Sequence, residues 1–137
     1  GWLDGQAEVD TAKKIGTCGY CMGGPYTVRT AFAVPERVGA AASFHGGGLV
    51  GDAPESPIQL LAKTKAAYLI AIAQNDDASA PGEKDALIAA AKAAGRPAEV
   101  EVYPAQHGWC TIDAPIHDPV QADKAWGRML ALYAANL

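Results

Sequence analysis

The segment Ile15-Gly-Thr-Cys-Gly-Tyr-Cys-Met-Gly-Gly24 ends an apolar run with a cysteine, Cys21, that has a glycine two residues to either side. A G-x-C-x-G spacing is typical of a tight turn between a strand and a helix that presents a nucleophile. Glycine has no Cβ atom, so Gly19 and Gly23 allow the backbone to adopt a strained turn. The thiol would then lie at a helix N-terminus, where the helix dipole favours a thiolate. The segment therefore predicts a strand, a sharp turn with a reactive cysteine, and a helix.

Four short apolar segments predict strands, and a segment with helical features follows each of them. The predicted strands cover residues 12–18, 38–44, 66–73 and 99–103. The predicted helices cover residues 25–33, 57–63, 81–94 and 119–136, with Ser56 and Asp118 as the N-caps of the second and fourth. Because strands and helices alternate, we expect an α/β fold with a mostly parallel sheet of about four strands flanked by helices.

Length and composition limit the class of protein. A chain of 137 residues with 50% apolar and 19% charged residues predicts one domain, residues 1–137, with a sizeable core. The net charge of −4 and the scattered lysines and arginines argue against nucleic acid and membrane surfaces as partners. The three cysteines are an odd number, which argues against a secreted disulfide framework. We therefore expect a cytoplasmic setting that keeps a reactive thiol reduced.

Residues able to do chemistry follow the predicted strands, each at the carboxyl end of a strand. Cys21 follows the first strand, His45 the second, the pair Asp76 and Asp77 the third, and His107 the fourth. In a parallel sheet these ends meet at one edge, so we expect the side chains to lie close together. A nucleophile, an acid and a histidine in this chain order match the triad of hydrolases that carry a nucleophile turn.

Three blocks of the sequence resemble the dienelactone hydrolase family: Gly19–Gly24, Ala73–Pro81 and Tyr103–Gly108. The resemblance implies a truncated α/β-hydrolase fold that corresponds to the C-terminal part of the family, with the N-terminal half absent. The family carries an arginine four residues beyond its histidine, which helps to hold the dienelactone carboxylate. Thr111 stands at that position here.

The resemblance also implies roles for individual residues. Cys21 would be the nucleophile, His107 the base and Asp76 the orienting acid, although the pattern aligns equally well on Asp77. The N–H of Met22, the residue after the nucleophile, would supply one oxyanion donor. The second donor would belong to the absent half.

Together these features predict a hydrolase of small carboxylic esters or lactones that forms a thioester on Cys21 and needs no cofactor. The residues expected to line its substrate pocket are Tyr20, His45, Trp109 and Cys110. Trp126, Met129 and Leu130 are expected in the core, because they stand at helical spacing.

A different interpretation starts from the spacing Cys18-Gly-Tyr-Cys21. A C-x-x-C pair occurs in thiol-redox domains, and His107 and Cys110 would complete a zinc site with it. This interpretation predicts a non-catalytic thiol-redox or zinc-binding domain. It leaves Gly23-Gly24 and the acidic block without a function.

The strand before the turn is predicted to lie at an uncovered edge of the sheet. In the hydrolase strand order this strand has a neighbour on each side, and the earlier neighbour is absent here. Lys14–Cys18 would therefore present an apolar edge beside Cys21. We expect a homodimer that covers this edge.

Overall fold

The computed structural model describes residues 1–137 and contains one sheet of four parallel strands. The strands are β1 (Ile15–Tyr20), β2 (Val38–Phe44), β3 (Ala67–Ala73) and β4 (Ala98–Tyr103). The helices are α1 (Gly23–Ala33), α2 (Pro57–Leu60), α3 (Gln74–Ser79), α4 (Glu83–Ala93) and α5 (Pro119–Asn136), with 3-10 turns at Leu3–Gly5 and Leu61–Lys63. The strand order is β1-β2-β3-β4, and all three neighbouring pairs are parallel. The predicted α/β architecture is confirmed.

The boundaries of several elements differ from the prediction. Strand β1 runs on to Tyr20, which pairs with Phe44 of β2, and the segment before Ile15 forms turns. Helix α4 begins at Glu83 because Gly82 has a φ of +93°, which no helical residue adopts. Helix α3 was not predicted, since Gln-Asn-Asp-Asp-Ala-Ser is rich in residues that favour loops and caps.

Only one of the two predicted N-caps bonds its helix with a side chain. The Oδ1 atom of Asp118 accepts the Gln121 N–H at 3.0 Å and begins α5 as predicted. Ser56 stands at the N-cap position of α2, but its side chain makes no capping hydrogen bond. Pro57 directly follows it and has no N–H of its own to satisfy.

Apolar cores cover both faces of the sheet. Helices α1 and α4 pack on one face, and every residue of β3 is buried, as its continuous apolar sequence predicts. Helix α5 packs on the other face through Ala125 and Met129, together with Phe44 and Trp109. These two layers hold the carboxyl ends of the strands at one edge of the sheet.

Helix α5 presents a different face to the core from the one expected. Ala125 and Met129, four residues apart, face the sheet, whereas Trp126 and Leu130 lie one position further round the helix. Trp126 is 57% exposed and Leu130 is 47% exposed, so the prediction that they belong to the core is wrong. No helix combines the length and the apolar character that crossing a bilayer requires.

Strand β1 lies at the edge of the sheet and pairs only with β2. Cys18 in this strand is exposed, and so is Tyr20 at its end. The backbone hydrogen-bonding groups on the outer side of β1 therefore have no neighbouring strand. The predicted edge position of this strand is confirmed.

The turn after β1 holds Cys21 in a left-handed conformation with a φ of +51°. Such a φ is uncommon for a residue with a side chain and indicates local strain. A Cβ atom on Gly19 would lie 2.1 Å from the carbonyl oxygen of Gly23, so the first glycine of the motif is obligatory. This part of the turn agrees with the prediction from the motif.

The second glycine that the turn requires is Gly24 and not the predicted Gly23. A Cβ atom on Gly23 would meet nothing within 4 Å. A Cβ atom on Gly24 would lie 2.4 Å from the Ser43 Oγ atom and 2.6 Å from the Gly46 Cα atom. The loop after β2 therefore approaches the start of α1 so closely that only glycine fits.

Replacing these two glycines by alanine should have unequal effects on stability. We expect Gly24→Ala to lower the free energy of unfolding by about 1–3 kcal/mol, because the new methyl group overlaps backbone that cannot move freely. Gly23→Ala should change it by less than about 1 kcal/mol, since the site is open and helical. Urea denaturation measures both, and equal losses would contradict the close approach of the two loops.

Candidate active site

An acid and a histidine meet at the carboxyl edge of the sheet. Asp76 lies in the first turn of α3, directly after β3, and His107 lies in the loop after β4. The Nδ1 atom of His107 is 2.7 Å from the Oδ2 atom of Asp76. Both side chains are about one-third exposed, at 34% and 32%. Of the two candidate acids, Asp76 and not Asp77 reaches the imidazole.

The loop that carries His107 is fastened to the end of β3 by backbone contacts. The Oδ1 atom of Asn75 accepts the His107 N–H at 2.8 Å. The Gln74 N–H donates to the Ala105 carbonyl at 3.0 Å. Sequence reasoning missed Asn75, whose position directly before the acid was the available signal. These hydrogen bonds fix the backbone of the loop and therefore the position from which the His107 side chain extends.

The Cys21 thiol lies near enough to His107 for each group to shift the pKa of the other. A hydrogen bond to His107 and a second one from the Met22 N–H lower the pKa of Cys21 and outweigh the opposing effects of burial and of the negative charge of Asp76. The thiol is exposed at the surface. The arrangement thus favours a thiolate that substrate can reach.

The proton affinity of His107 is set by opposing influences. Burial lowers the pKa of His107, but hydrogen bonds to Asp76 and Cys21 outweigh it, so the pKa is raised overall. A lowered thiol pKa beside a raised imidazole pKa favours transfer of the thiol proton to His107. The geometry can therefore hold a thiolate and an imidazolium side by side.

Two of the residues expected to line the substrate pocket are buried instead. Trp109 has no exposed surface and stacks on Tyr103, with ring centroids 5.2 Å apart. His45 is 2% exposed and meets the Trp109 ring edge-on at 5.0 Å. The loop after β4 folds its indole inward onto the core of the α5 face, so neither ring can contact substrate. This corrects the expectation for both residues.

A cavity with a volume of about 240 Å³ lies between β1 and α5. Its lining residues are Tyr20, Phe44, Cys110, Ile112, His117, Pro119, Ala122, Asp123, Ala125 and Trp126. Tyr20 directly precedes Cys21, and it stacks on Phe44 at 5.1 Å. Burial raises the pKa of Cys110 to about 11, which keeps that thiol neutral. Tyr20 and Cys110 both line this cavity.

The four residues of the alternative zinc site do not form a metal-binding group. No group of three or more histidine, cysteine or acidic side chains has the arrangement needed to hold a metal ion. All three cysteines are free. The Cys21 thiol and the His107 imidazole are close enough to shift each other's pKa. The geometry thus gives no support to the zinc site.

Comparison with known proteins gives one family. The sequence model of the dienelactone hydrolase family matches residues 2–137. A structure from Klebsiella pneumoniae, assigned as a dienelactone hydrolase, is 30% identical in sequence and superposes with a TM-score of 0.74. The match covers 87% of this chain and 51% of the Klebsiella chain. A search among curated proteins found no match.

Two more solved structures share the fold. One is designated m3DLH, is 21% identical and has a TM-score of 0.78, with 98% of this chain and 57% of that one covered. The other is a dienelactone hydrolase-like promiscuous phosphotriesterase from metagenomic libraries, 20% identical with a TM-score of 0.77, with 98% and 56% covered. The chain spans about half the length of these structures.

The hydrogen bond between Asp76 and His107 predicts that Asp76, and not Asp77, raises the pKa of the His107 imidazole. Because the hydrogen bond from Asp76 raises the pKa of His107, Asp76→Asn should lower that pKa. Asp77→Asn, the matched control one residue along, should leave it unchanged. Titration of the histidine ring signals by NMR measures both variants. A fall in the His107 pKa in Asp77→Asn alone would show that the neighbouring carboxylate is the partner.

Proposed function

The chain belongs to the dienelactone hydrolase family, and from that premise we propose that it hydrolyses small carboxylic esters or lactones through a thioester on Cys21. The observation that carries the proposal is the 2.7 Å contact between His107 Nδ1 and Asp76 Oδ2, in a site where His107 also lowers the pKa of the Cys21 thiol. A reducing setting such as the cytoplasm suits this chemistry, because it preserves the thiol.

The first half of the proposed reaction acylates the enzyme. The Cys21 thiolate attacks the carbonyl carbon, and the carbonyl electron pair moves to the oxygen. The Met22 N–H, which bonds the thiol at rest, donates to this oxyanion. When the carbonyl re-forms, the alkoxide leaves and takes the proton of the His107 imidazolium. The products are an alcohol, a thioester and a neutral imidazole.

The second half releases the acid. Neutral His107 takes a proton from water, and the resulting hydroxide attacks the thioester carbonyl. The Cys21 thiolate leaves, so the thiolate and imidazolium pair is restored. Asp76 accepts the hydrogen bond from Nδ1 throughout, which fixes the tautomer and stabilises the imidazolium.

The lining of the cavity between β1 and α5 favours the binding of uncharged substrates. Its lining is mostly apolar and contains no lysine or arginine, while Asp123 would repel an anionic group. Thr111 also stands where the family places its carboxylate-binding arginine. We therefore assign neutral short acyl or aryl esters as the preferred substrates, with Tyr20 as the wall nearest the nucleophile.

Removal of the Cys21 sulfur should abolish the activity. We expect Cys21→Ala to lower the hydrolysis rate of 4-nitrophenyl acetate by about a hundredfold or more, because the nucleophile is lost. Cys18→Ala is the matched control, since that thiol is also exposed and lies three residues away. Equal rates for Cys21→Ala and the wild type would refute the proposed mechanism.

We also propose that the protein acts as a homodimer in which the edge of β1 is covered. The support for it is that β1 lacks a second neighbour and that Tyr20 and Trp126 expose apolar surface on the same side of the sheet. The partner would also exclude water from Cys21 and offer the second oxyanion donor.

Light scattering at several concentrations tests this assembly. The expected mass is twice the protomer mass of 14.1 kDa, and the activity per protomer should fall as the dimer dissociates on dilution. A monodisperse monomer with undiminished activity would overturn the proposal.

A further inference from the structure

His45 makes a contact with the nucleophile turn that substrate binding does not explain. It follows β2, has a φ of +40° and is almost completely buried. Its Nδ1 atom accepts the Cys21 N–H at 3.1 Å, and the same N–H also lies 3.0 Å from the Phe44 carbonyl oxygen. Its Nε2 atom is buried and has no hydrogen-bond partner within the chain.

We propose that His45 is a positioning residue: its neutral imidazole holds the Cys21 N–H and so directs the Met22 N–H at the thiol. The inference rests on the proposed role of Cys21 as nucleophile. The hydrogen bond of His45 is with the Cys21 N–H, so His45 acts through the backbone of the turn.

The hydrogen bond defines the tautomer of His45. An Nδ1 atom that accepts an N–H carries no proton, so the single ring proton lies on Nε2. A second proton on Nδ1 would remove the acceptor and set two donors against each other. The contact with Cys21 therefore exists only while His45 is neutral.

The surroundings of His45 oppose a second proton. Burial, and then the positive charge of His107, lower the pKa of His45 to about 4, against the opposing effects of the backbone of His45 itself and of the Asp76 charge. The His107 ring lies 4.7 Å away, and the other rings against His45 are Trp109 and Tyr20, which are uncharged near neutral pH. His45 thus stays an acceptor while His107 gains and loses its proton.

Two substitutions separate the hydrogen bond from simple packing. His45→Asn places an amide oxygen near the position of Nδ1, and asparagine tolerates a positive φ. His45→Phe keeps a planar ring against Trp109 but has no acceptor. A role in packing alone predicts that phenylalanine is the better replacement, and the proposed role predicts the reverse.

The principal measurement is the pH dependence of Cys21 alkylation by iodoacetamide, with the modified residue identified by peptide mapping. We expect His45→Phe to raise the Cys21 pKa and to lower kcat for 4-nitrophenyl acetate about ten- to a hundredfold with little change in KM. His45→Asn should retain the wild-type pKa and most of kcat. His117→Phe is the control for the pKa, because the side chain of that histidine bonds the Trp109 carbonyl and not the nucleophile turn.

An unchanged Cys21 pKa in folded His45→Phe, or equal damage in both His45 variants, would overturn the proposal. If His45→Phe does not fold, NMR of the wild-type histidines decides: an Nδ1 proton on His45 near neutral pH refutes the inference, and an Nε2 proton with bare Nδ1 supports it. Alkylation reports on the thiol without turnover, so these outcomes are separate from a failure of the proposed ester hydrolysis.

Discussion

The left-handed conformation of Cys21 is the constraint on which the rest of the site depends. A non-glycine residue in this region costs on the order of 1–3 kcal/mol and persists only where its surroundings enforce it. Here the Cys21 N–H is held by the end of β2, and close packing at Gly19 and Gly24 leaves no room for a relaxed turn. The pairing of β1 with β2 therefore fixes where the thiol lies. The free energy of that pairing offsets the cost of the strained turn.

Two histidines lie side by side at this edge, and their environments give them opposite properties. His107 is partly exposed and bonds a carboxylate and a thiol, so its proton is stabilised. His45 is buried and accepts a backbone N–H, so an added proton is disfavoured. Because two adjacent imidazoles resist carrying charge together, a neutral His45 allows His107 to become an imidazolium.

The sequence was sufficient for the parts of the site that follow from topology. Alternating strands and helices place Cys21, Asp76 and His107 at one edge, whatever the details of the loops. It was not sufficient where the rotational position of a residue on a helix decides which side chain enters the site. Successive residues of a helix point about 100° apart, so the unforeseen helix α3 turns Asp76 towards His107 and its neighbour Asp77 away.

Trp109 and Trp126 also show that the local sequence pattern does not predict which side chains become buried. Trp109 was expected at a pocket and Trp126 in the core, and the structure places the first in the core and exposes the second. Both are equally apolar, so local pattern does not distinguish them. What distinguishes them is the space available to each ring. The loop after β4 closes over the sheet and buries Trp109. The side of α5 that carries Trp126 faces the edge of β1, and no further strand lies beyond that edge to cover it.

The exposed edge of β1 also limits what the site can do chemically. The thiol of Cys21 is open to solvent, and water weakens the charge interactions by which His107 and the Met22 N–H stabilise a thiolate or an oxyanion. A surface that covered β1 would lower the local dielectric constant and bring backbone N–H groups close to the same carbonyl oxygen. Burial of the apolar edge and stabilisation of the transition state are thus coupled, because one contact surface beside Cys21 would provide both.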